Sequence, residues 1–286
     1  MSLLDKYEAD RETAWCPGCG NFPLRKALAN ALADLDLSPE QVAMFTGIGQ
    51  AAKMPHYIRL NAFNGLHGRA LPPSLGMVVA NPGMKVIVES GDGDTYGEGG
   101  NHILHNIRRN PNITHLVHDN QIYGLTKGQA SPTTGFDITT SVQPRGINAE
   151  PFNPIRFAIG MKASFVARSF VGEGEHLQEM IKAAINHKGY ALIDILQPCV
   201  SFNPVNTYQW YKERVYKLGD DYDPTDYAAA IAKADEWGDD IPIGIIYKDE
   251  DKPTFRDRIY HLDDDDALVG KKVNPAELDF LLDDYR

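Results

Sequence analysis

Cysteine is scarce: the 286-residue chain holds three, Cys16, Cys19 and Cys199. Three thiols cannot build a disulfide framework, and in a reducing compartment such residues serve as ligands, catalysts or inert core. Long hydrophobic runs are missing as well. No apolar stretch approaches the roughly 18–20 residues needed to span a bilayer. The opening MSLLDKYEADRETA is charged and acidic, unlike a secretory signal, so the expectation is no membrane span and a cytoplasmic location. Positive charge is short too: 28 Lys and Arg stand against 39 Asp and Glu, a formal net charge of −11. That balance excludes nucleic acid as an expected partner, because phosphate recognition draws on clustered Lys and Arg. What is present is an ordinary globular composition, in a chain long enough for one large domain or two modest ones.

Strand and helix patterns alternate. From Phe22 to Leu35 the residues Leu24, Ala27, Leu28, Ala31, Leu32 and Leu35 follow helical spacing, with Asn21 as the expected cap and Cys19 just outside. A strand over Val42 to Phe45 runs into the glycine turn TGIGQ, then a loop-rich stretch through GLHGRALPPS, and Pro72-Pro73 open a short helix that ends near Asn81. KVIVES reads as a buried strand, EGGNHILHNIRR as a helix and ITHLVHDN as a strand. FAIGMKASFVARSF, GEHLQEMIKAAINHKG and YALIDILQP continue the alternation. Such alternation predicts an α/β fold with a doubly wound, mostly parallel sheet closed by right-handed crossovers. After Cys199 the sequence turns aromatic and irregular in YQWYKERVYKL, then acidic, with four aspartates at 263–266. This part is expected to form an irregular extension that packs on the domain or on a partner.

In an open parallel sheet, ligands sit beyond the carboxyl ends of the strands. Gly91-Asp92-Gly93 follows KVIVES, and Asn120 follows THLVHD; 26 residues separate Gly93 from Asn120, room for one helix and one strand. Neighbouring strands lie about 4.8 Å apart, so Asp92 and Asn120 are expected to face one point. A carboxylate, an amide oxygen and a backbone carbonyl are hard donors suited to Mg²⁺, which keeps other positions for phosphate oxygens and water. The glycines beside Asp92 let backbone approach a diphosphate, and amide N–H groups at a helix start add a favourable dipole. A lone GDG is a common turn; the Asn120 spacing is what gives it meaning.

Asp92 with Asn120 resembles the thiamine diphosphate signature. GLHGRALP, GDGDTYGEGGNH, RRN and DNQIYGLTKGQASPT together resemble the beta subunit of the 2-oxoacid:ferredoxin oxidoreductases, over roughly residues 14–203 and more weakly through WYKERVYKL. The resemblance implies a thiamine diphosphate-binding fold. It divides the chain into a cofactor-binding domain at 1–203, carrying the cysteine pair, and an extension at 204–286. It implies that Asp92, Asn120 and the carbonyl of Ile122 hold the Mg²⁺ of thiamine diphosphate. Gly91, Gly93, Asp94, Gly124, Leu125 and Lys127 fall where the family contacts the cofactor. Ile48, Gly49, Gln50 and His67 match positions that line it, and Lys53 matches a lysine near the substrate carboxylate; Lys53 and His67 are the expected catalytic residues. For each there is a plainer alternative, a loop histidine and a surface lysine.

The same resemblance implies oxidative decarboxylation of a 2-oxoacid, 2-oxoglutarate above others, with coenzyme A carrying off the acyl group and electrons leaving through iron–sulfur clusters to ferredoxin or a similar carrier. It implies an alpha subunit that supplies the carboxylate activating the cofactor, in an assembly of two alpha and two beta chains. Relatives with a cluster place four cysteines in the beta chain. Cys16, Cys19 and Cys199 match three of them, while Gln50 stands at the fourth position, and cubane clusters are ordinarily held by four thiolates. Four readings stay open: a [4Fe–4S] cluster with a fourth ligand from Gln50, water or the partner; a [3Fe–4S] cluster; cysteines without a cluster; and a thioredoxin-like CPGC pair, for which no preceding strand is present. Two further functions compete with the oxidoreductase: a non-oxidative thiamine-dependent decarboxylase subunit without a cluster, and a scaffold that binds no cofactor.

Overall fold

The structure, a computed structural model, describes residues 2–136, 138–259, 267–272 and 274–283; the aspartates at 263–266 lie outside the described residues. Helices α1 (Leu3–Lys6) and α2 (Asn21–Asp34) precede strands β1 (Val42–Thr46) and β2 (Asn61–Asn64). Helix α3 (Leu71–Ala80), β3 (Lys85–Gly91), α4 (Gly100–Arg109) and β4 (Ile113–Asp119) follow. A small hairpin of β5 (Ile122–Tyr123) and β6 (Gln129–Ala130) leads to α5 (Pro154–Gly160), β7 (Phe165–Phe170), α6 (Gly174–Asn186) and β8 (Tyr190–Leu196). Then come α7 (Tyr208–Lys212), β9 (Val215–Lys217), α8 (Tyr227–Asp235), β10 (Ile241–Lys248) and α9 (Asp279–Asp283).

Among the described residues the main sheet has eight strands in the order β2-β1-β3-β4-β8-β7-β10-β9. Neighbours run parallel except for β7 and β10. Parallel strands are covered on both faces and so read as near-continuous apolar runs; every residue of β1, β4 and β8 is buried. Met44, Ile87 and Leu116 point to one face, where Leu24, Leu28 and Leu32 of α2 meet Leu177 and Ile181 of α6. Phe45, Val88 and Val117 point to the other, under Val78 of α3, Ile103 and Ile107 of α4, Ile155 of α5 and Ala230 of α8.

Three local features differ from the sequence expectations. Asn21 is not a cap: it is the first residue of α2, and its Oδ1 is hydrogen-bonded to His118 Nδ1 at 2.8 Å and to Gln197 Nε2 at 3.1 Å. This helix end is packed against Gln197, the residue after β8, so closely that a Cβ on Gly20 would fall 2.7 Å from Gln197 Cβ, and the amide serves tertiary structure instead. The stretch NAFN, inside the expected loop, is the exposed edge strand β2; short polar edge strands carry no apolar period. Residues beyond 203 are more regular than their aromatic composition suggests. The YQWYKERVYKL stretch forms α7 and β9 around a fully buried Tyr211, and β10 docks on β7.

One buried group makes the fold pH-sensitive. His115 on β4 is hydrogen-bonded to Ser90 Oγ at 2.7 Å and to the Tyr190 hydroxyl at 2.6 Å, and burial pulls its pKa down to about 3. It stays neutral when folded, whereas the unfolded chain takes up a proton near pH 6.5. The stability it contributes is therefore complete above about pH 6.5 and is lost as the pH falls toward 3, by about 1.4 kcal/mol per pH unit. Urea unfolding followed from pH 7.5 to pH 5 is expected to lose stability with a slope that His115→Gln reduces by about one proton. An unchanged slope would contradict this.

Candidate active site

The register Ser90↔Val117 and Gly91↔His118 brings the carboxyl ends of β3 and β4 level, and so sets Asp92 beside Asn120. Asp92 opens a wide helical turn, Gly93–Glu98, that leads into α4. An open cleft at this edge is lined, among others, by Ile48, Gly49, Gln50, His67, Gly91, Asp92, Gly93, Asp94, Asn120, Ile122, Gly124 and Leu125. These were singled out in the sequence; Ala51, His118, Tyr123 and Thr126, which also line the cleft, were not. Lys53, half-buried on the short turn after Gln50, and Lys127, in the left-handed region at φ +75°, stand outside the lining.

Asp92 is 2% exposed, its Oδ2 accepts from Thr133 Oγ1 at 2.8 Å, and burial raises its carboxyl to about 6. Thr133 Oγ1 also lies 2.8 Å from Asp119 Oδ1. A hydroxyl has one proton to give, so Thr133 satisfies one carboxylate at a time and holds both in place. Asn120 Oδ1 accepts from Ile122 N at 3.0 Å, closing an Asx turn that presents this loop to the cleft. Gly93 has to be glycine, since a Cβ would meet the Tyr123 ring at 2.3 Å.

Asp94 has a different task. Its Oδ1 accepts from Ile48 N at 3.0 Å and Gly68 N at 2.8 Å and pairs with His67 Nδ1 at 2.6 Å. A Cβ on Gly47 would fall 2.0 Å from Asp94 Oδ2. The carboxylate thus ties the TGIGQ turn to the His67 loop. Because a carboxylate repels a diphosphate, any contact from this position comes from its backbone N–H.

Sequence reasoning missed the layer beneath. Glu89, fully buried, pairs with His118 Nε2, and His118 Nδ1 reaches Asn21. Further in, Tyr96 donates to Asp194 Oδ1 at 2.8 Å near Arg168, which is 2% exposed with its guanidinium 5.5 Å from the Trp237 ring centroid. Charged residues inside the apolar central strands FVARSF and YALIDIL were the available signal.

A second hollow adjoins the cleft, lined by Trp15, Cys16, Cys19, Asn21, Gln50, Gln197, Cys199, Ser201 and Phe202 among others. All three thiols therefore share one space, although Cys199 lies 180 positions after Cys19. Ser201 Oγ donates to Cys16 Sγ at 3.0 Å. Burial pushes the Cys19 thiol up to about 11 and raises that of Cys199, so both are protonated unless a cation enters. Gln50 Oε1 is buried there without a hydrogen-bond partner, which leaves an acceptor worth about 1–3 kcal/mol unsatisfied. Among the described residues no three His, Cys, Asp or Glu side chains converge on a single-ion position. A cubane spreads its ligands over several irons, and the hollow fits that donor set. The hard oxygens of Asp92, Asn120 and Ile122 likewise fit Mg²⁺.

Two families of known proteins match the chain. Residues 41–195 match the family described as thiamine pyrophosphate enzyme, C-terminal TPP binding domain, and residues 199–264 match the family that describes the C-terminal part of the pyruvate ferredoxin oxidoreductase beta chain. The chain is 43% identical over 279 residues to 2-oxoacid:ferredoxin oxidoreductase 1, subunit beta, of Aeropyrum pernix, covering 92% of this chain and 88% of that one. It is 46% identical over 259 residues to the 2-oxoacid:ferredoxin oxidoreductase subunit beta of Saccharolobus solfataricus, covering 86% and 85%. Among solved structures, the 2-oxoglutarate:ferredoxin oxidoreductase from Magnetococcus marinus with 2-oxoglutarate, coenzyme A and succinyl-CoA bound superposes with a TM-score of 0.86 at 36% identity, covering 88% of this chain and 86% of that one.

Proposed function

Because the chain belongs to the beta subunits of the 2-oxoacid:ferredoxin oxidoreductases, we propose that it is the thiamine diphosphate-binding half of an enzyme that joins a 2-oxoacid, 2-oxoglutarate in our reading, to coenzyme A with release of CO₂. The electrons pass to an iron–sulfur cluster and on to ferredoxin. The observation that carries this is the convergence of Asp92, Asn120 and Ile122 on one cleft at the ends of adjacent strands. The substrate assignment is supported by the Magnetococcus marinus enzyme, whose structure holds 2-oxoglutarate, coenzyme A and succinyl-CoA.

Thiamine diphosphate, when bound, supplies a thiazolium that accepts the electron pair left by decarboxylation. This chain's residues bind and orient. Asp92, Asn120 and the Ile122 carbonyl hold Mg²⁺; Gly91, Gly93, Gly124 and Leu125 bring backbone to the diphosphate. His67, anchored on Asp94, presents its half-exposed ring at the mouth. Lys53 and Lys127 are proposed to meet the substrate carboxylate and the cofactor's anionic end once a partner closes the site. Ile48 and Leu125 on one hollow and Val200 and Phe202 on the other are each at least 36% exposed, an apolar rim that supports an alpha subunit docking there, in an assembly of two alpha and two beta chains. Cys16, Cys19 and Cys199 hold the cluster. We place the division between cofactor-binding part and extension near residue 203, in support of which the two family matches change over between residues 195 and 199. No helix among the described residues is long and apolar enough to cross a membrane, and we place the complex in the cytoplasm.

The test is the alpha–beta complex, purified without oxygen and given thiamine diphosphate, Mg²⁺, 2-oxoglutarate, coenzyme A and oxidised ferredoxin. Acyl-CoA formation with matching ferredoxin reduction is expected. Aldehyde release with no reduced carrier would establish the non-oxidative decarboxylase instead.

A further inference from the structure

Gln50, Asn120 and Gly124 line both hollows and form the wall between them. Gln50 is held in that wall from behind. Its carbonyl accepts from Trp15 Nε1 at 3.0 Å, and Trp15, 5% exposed, stands edge-on to Phe22 and Tyr57. With its backbone fixed, the side-chain amide is left with a buried Oε1 that accepts nothing. On the same hollow Asn21 Nδ2 is buried and donates to nothing. Native proteins rarely leave such groups unpaired, and three weakly donating thiols cannot satisfy the acceptor. An occupant of this hollow has to offer positive charge to Gln50 and an electron-rich atom to Asn21. A cluster of iron and sulfide offers both, and the three thiols beside them are its usual ligand type.

We propose that Gln50 Oε1 ligates the fourth iron of a cluster whose other irons are bound by Cys16, Cys19 and Cys199, and that Asn21 Nδ2 donates to one of its sulfides. The proposal rests on the cluster reading above. An amide oxygen is a hard, neutral ligand and a poorer match for iron–sulfur chemistry than a thiolate. The iron at this corner is therefore the exchangeable one. Because Gln50 also lines the thiamine cleft, that corner faces the organic cofactor.

The experiment uses the anaerobic alpha–beta complex, incubated with excess ferrous iron of an enriched isotope, desalted, and read by mass spectrometry and Mössbauer spectroscopy. In the unaltered complex about one iron in four is expected to exchange. Gln50→Cys, which completes a four-thiolate set, is expected to keep about four irons and to suppress exchange at least tenfold, roughly. Gln50→Leu, which removes the oxygen at similar volume, is expected to hold about three irons and to show the spin-resonance signal of a three-iron cluster. Equal exchange in the unaltered complex and Gln50→Cys, or a full complement of non-exchanging iron in Gln50→Leu, overturns the assignment while leaving the cluster standing. A complex that binds no iron under the same loading overturns the cluster reading and this proposal together.

Discussion

Asp92→Ala is expected to abolish the thermal stabilisation of the alpha–beta complex by thiamine diphosphate with Mg²⁺, and with it the turnover of 2-oxoacid. Of the three proposed Mg²⁺ ligands that line the cleft, Asp92 alone brings a full negative charge; Asn120 and the Ile122 carbonyl would bring dipoles. A buried carboxylate pushed up to about 6 is costly to keep ionised by itself, and a divalent cation reverses that cost. Losing a residue that merely orients a metal ligand typically lowers affinity by 10–100-fold, so losing the charged ligand is expected to cost more than about 100-fold. Differential scanning fluorimetry of the complex, with and without the cofactor and metal, measures it directly. Undiminished stabilisation in Asp92→Ala would mean that the cation is held elsewhere.

Gly68→Ala is expected to be the most damaging single-methyl change on the site, at about 2–4 kcal/mol. Gly68 has φ +71°, in the left-handed region, and a Cβ there would lie 2.4 Å from Glu98 C and 2.7 Å from Gly99 N. Those atoms are backbone and cannot swing aside. The Gly68 N–H is also one of the donors that fix Asp94, and His67 is the preceding residue, so the strain spreads into the cleft. Against a typical total of roughly 5–15 kcal/mol this is a large share. Gly76→Ala is the control: Gly76 lies in α3 and a Cβ there meets nothing within 4 Å, so a gain of about 0.5–1 kcal/mol is expected from its helical position. Urea denaturation of both variants tests the contrast, and similar midpoints for the two would refute it.

The amino-acid sequence alone determined the class of fold, because parallel strands buried on both faces have to be apolar throughout and the helices between them have to be amphipathic. It also carried the cofactor motif, since Asp92 and Asn120 each end a strand whose neighbour is set by one crossover of ordinary length. The edge strand NAFN, the place of Asn21 inside the helix rather than at its cap and the order of the C-terminal strands were decided only by tertiary structure. Each depends on what lies across from it rather than on local spacing. The same holds for the chemistry. Thr133 reaches Asp92 across 41 residues and Cys199 joins Cys16 and Cys19 across about 180, and the buried amide of Gln50 acquires its meaning from the wall it occupies. Periodicity records which face of an element is dry; which polar groups meet there, and which remain unpaired, is settled when the chain closes and water is gone.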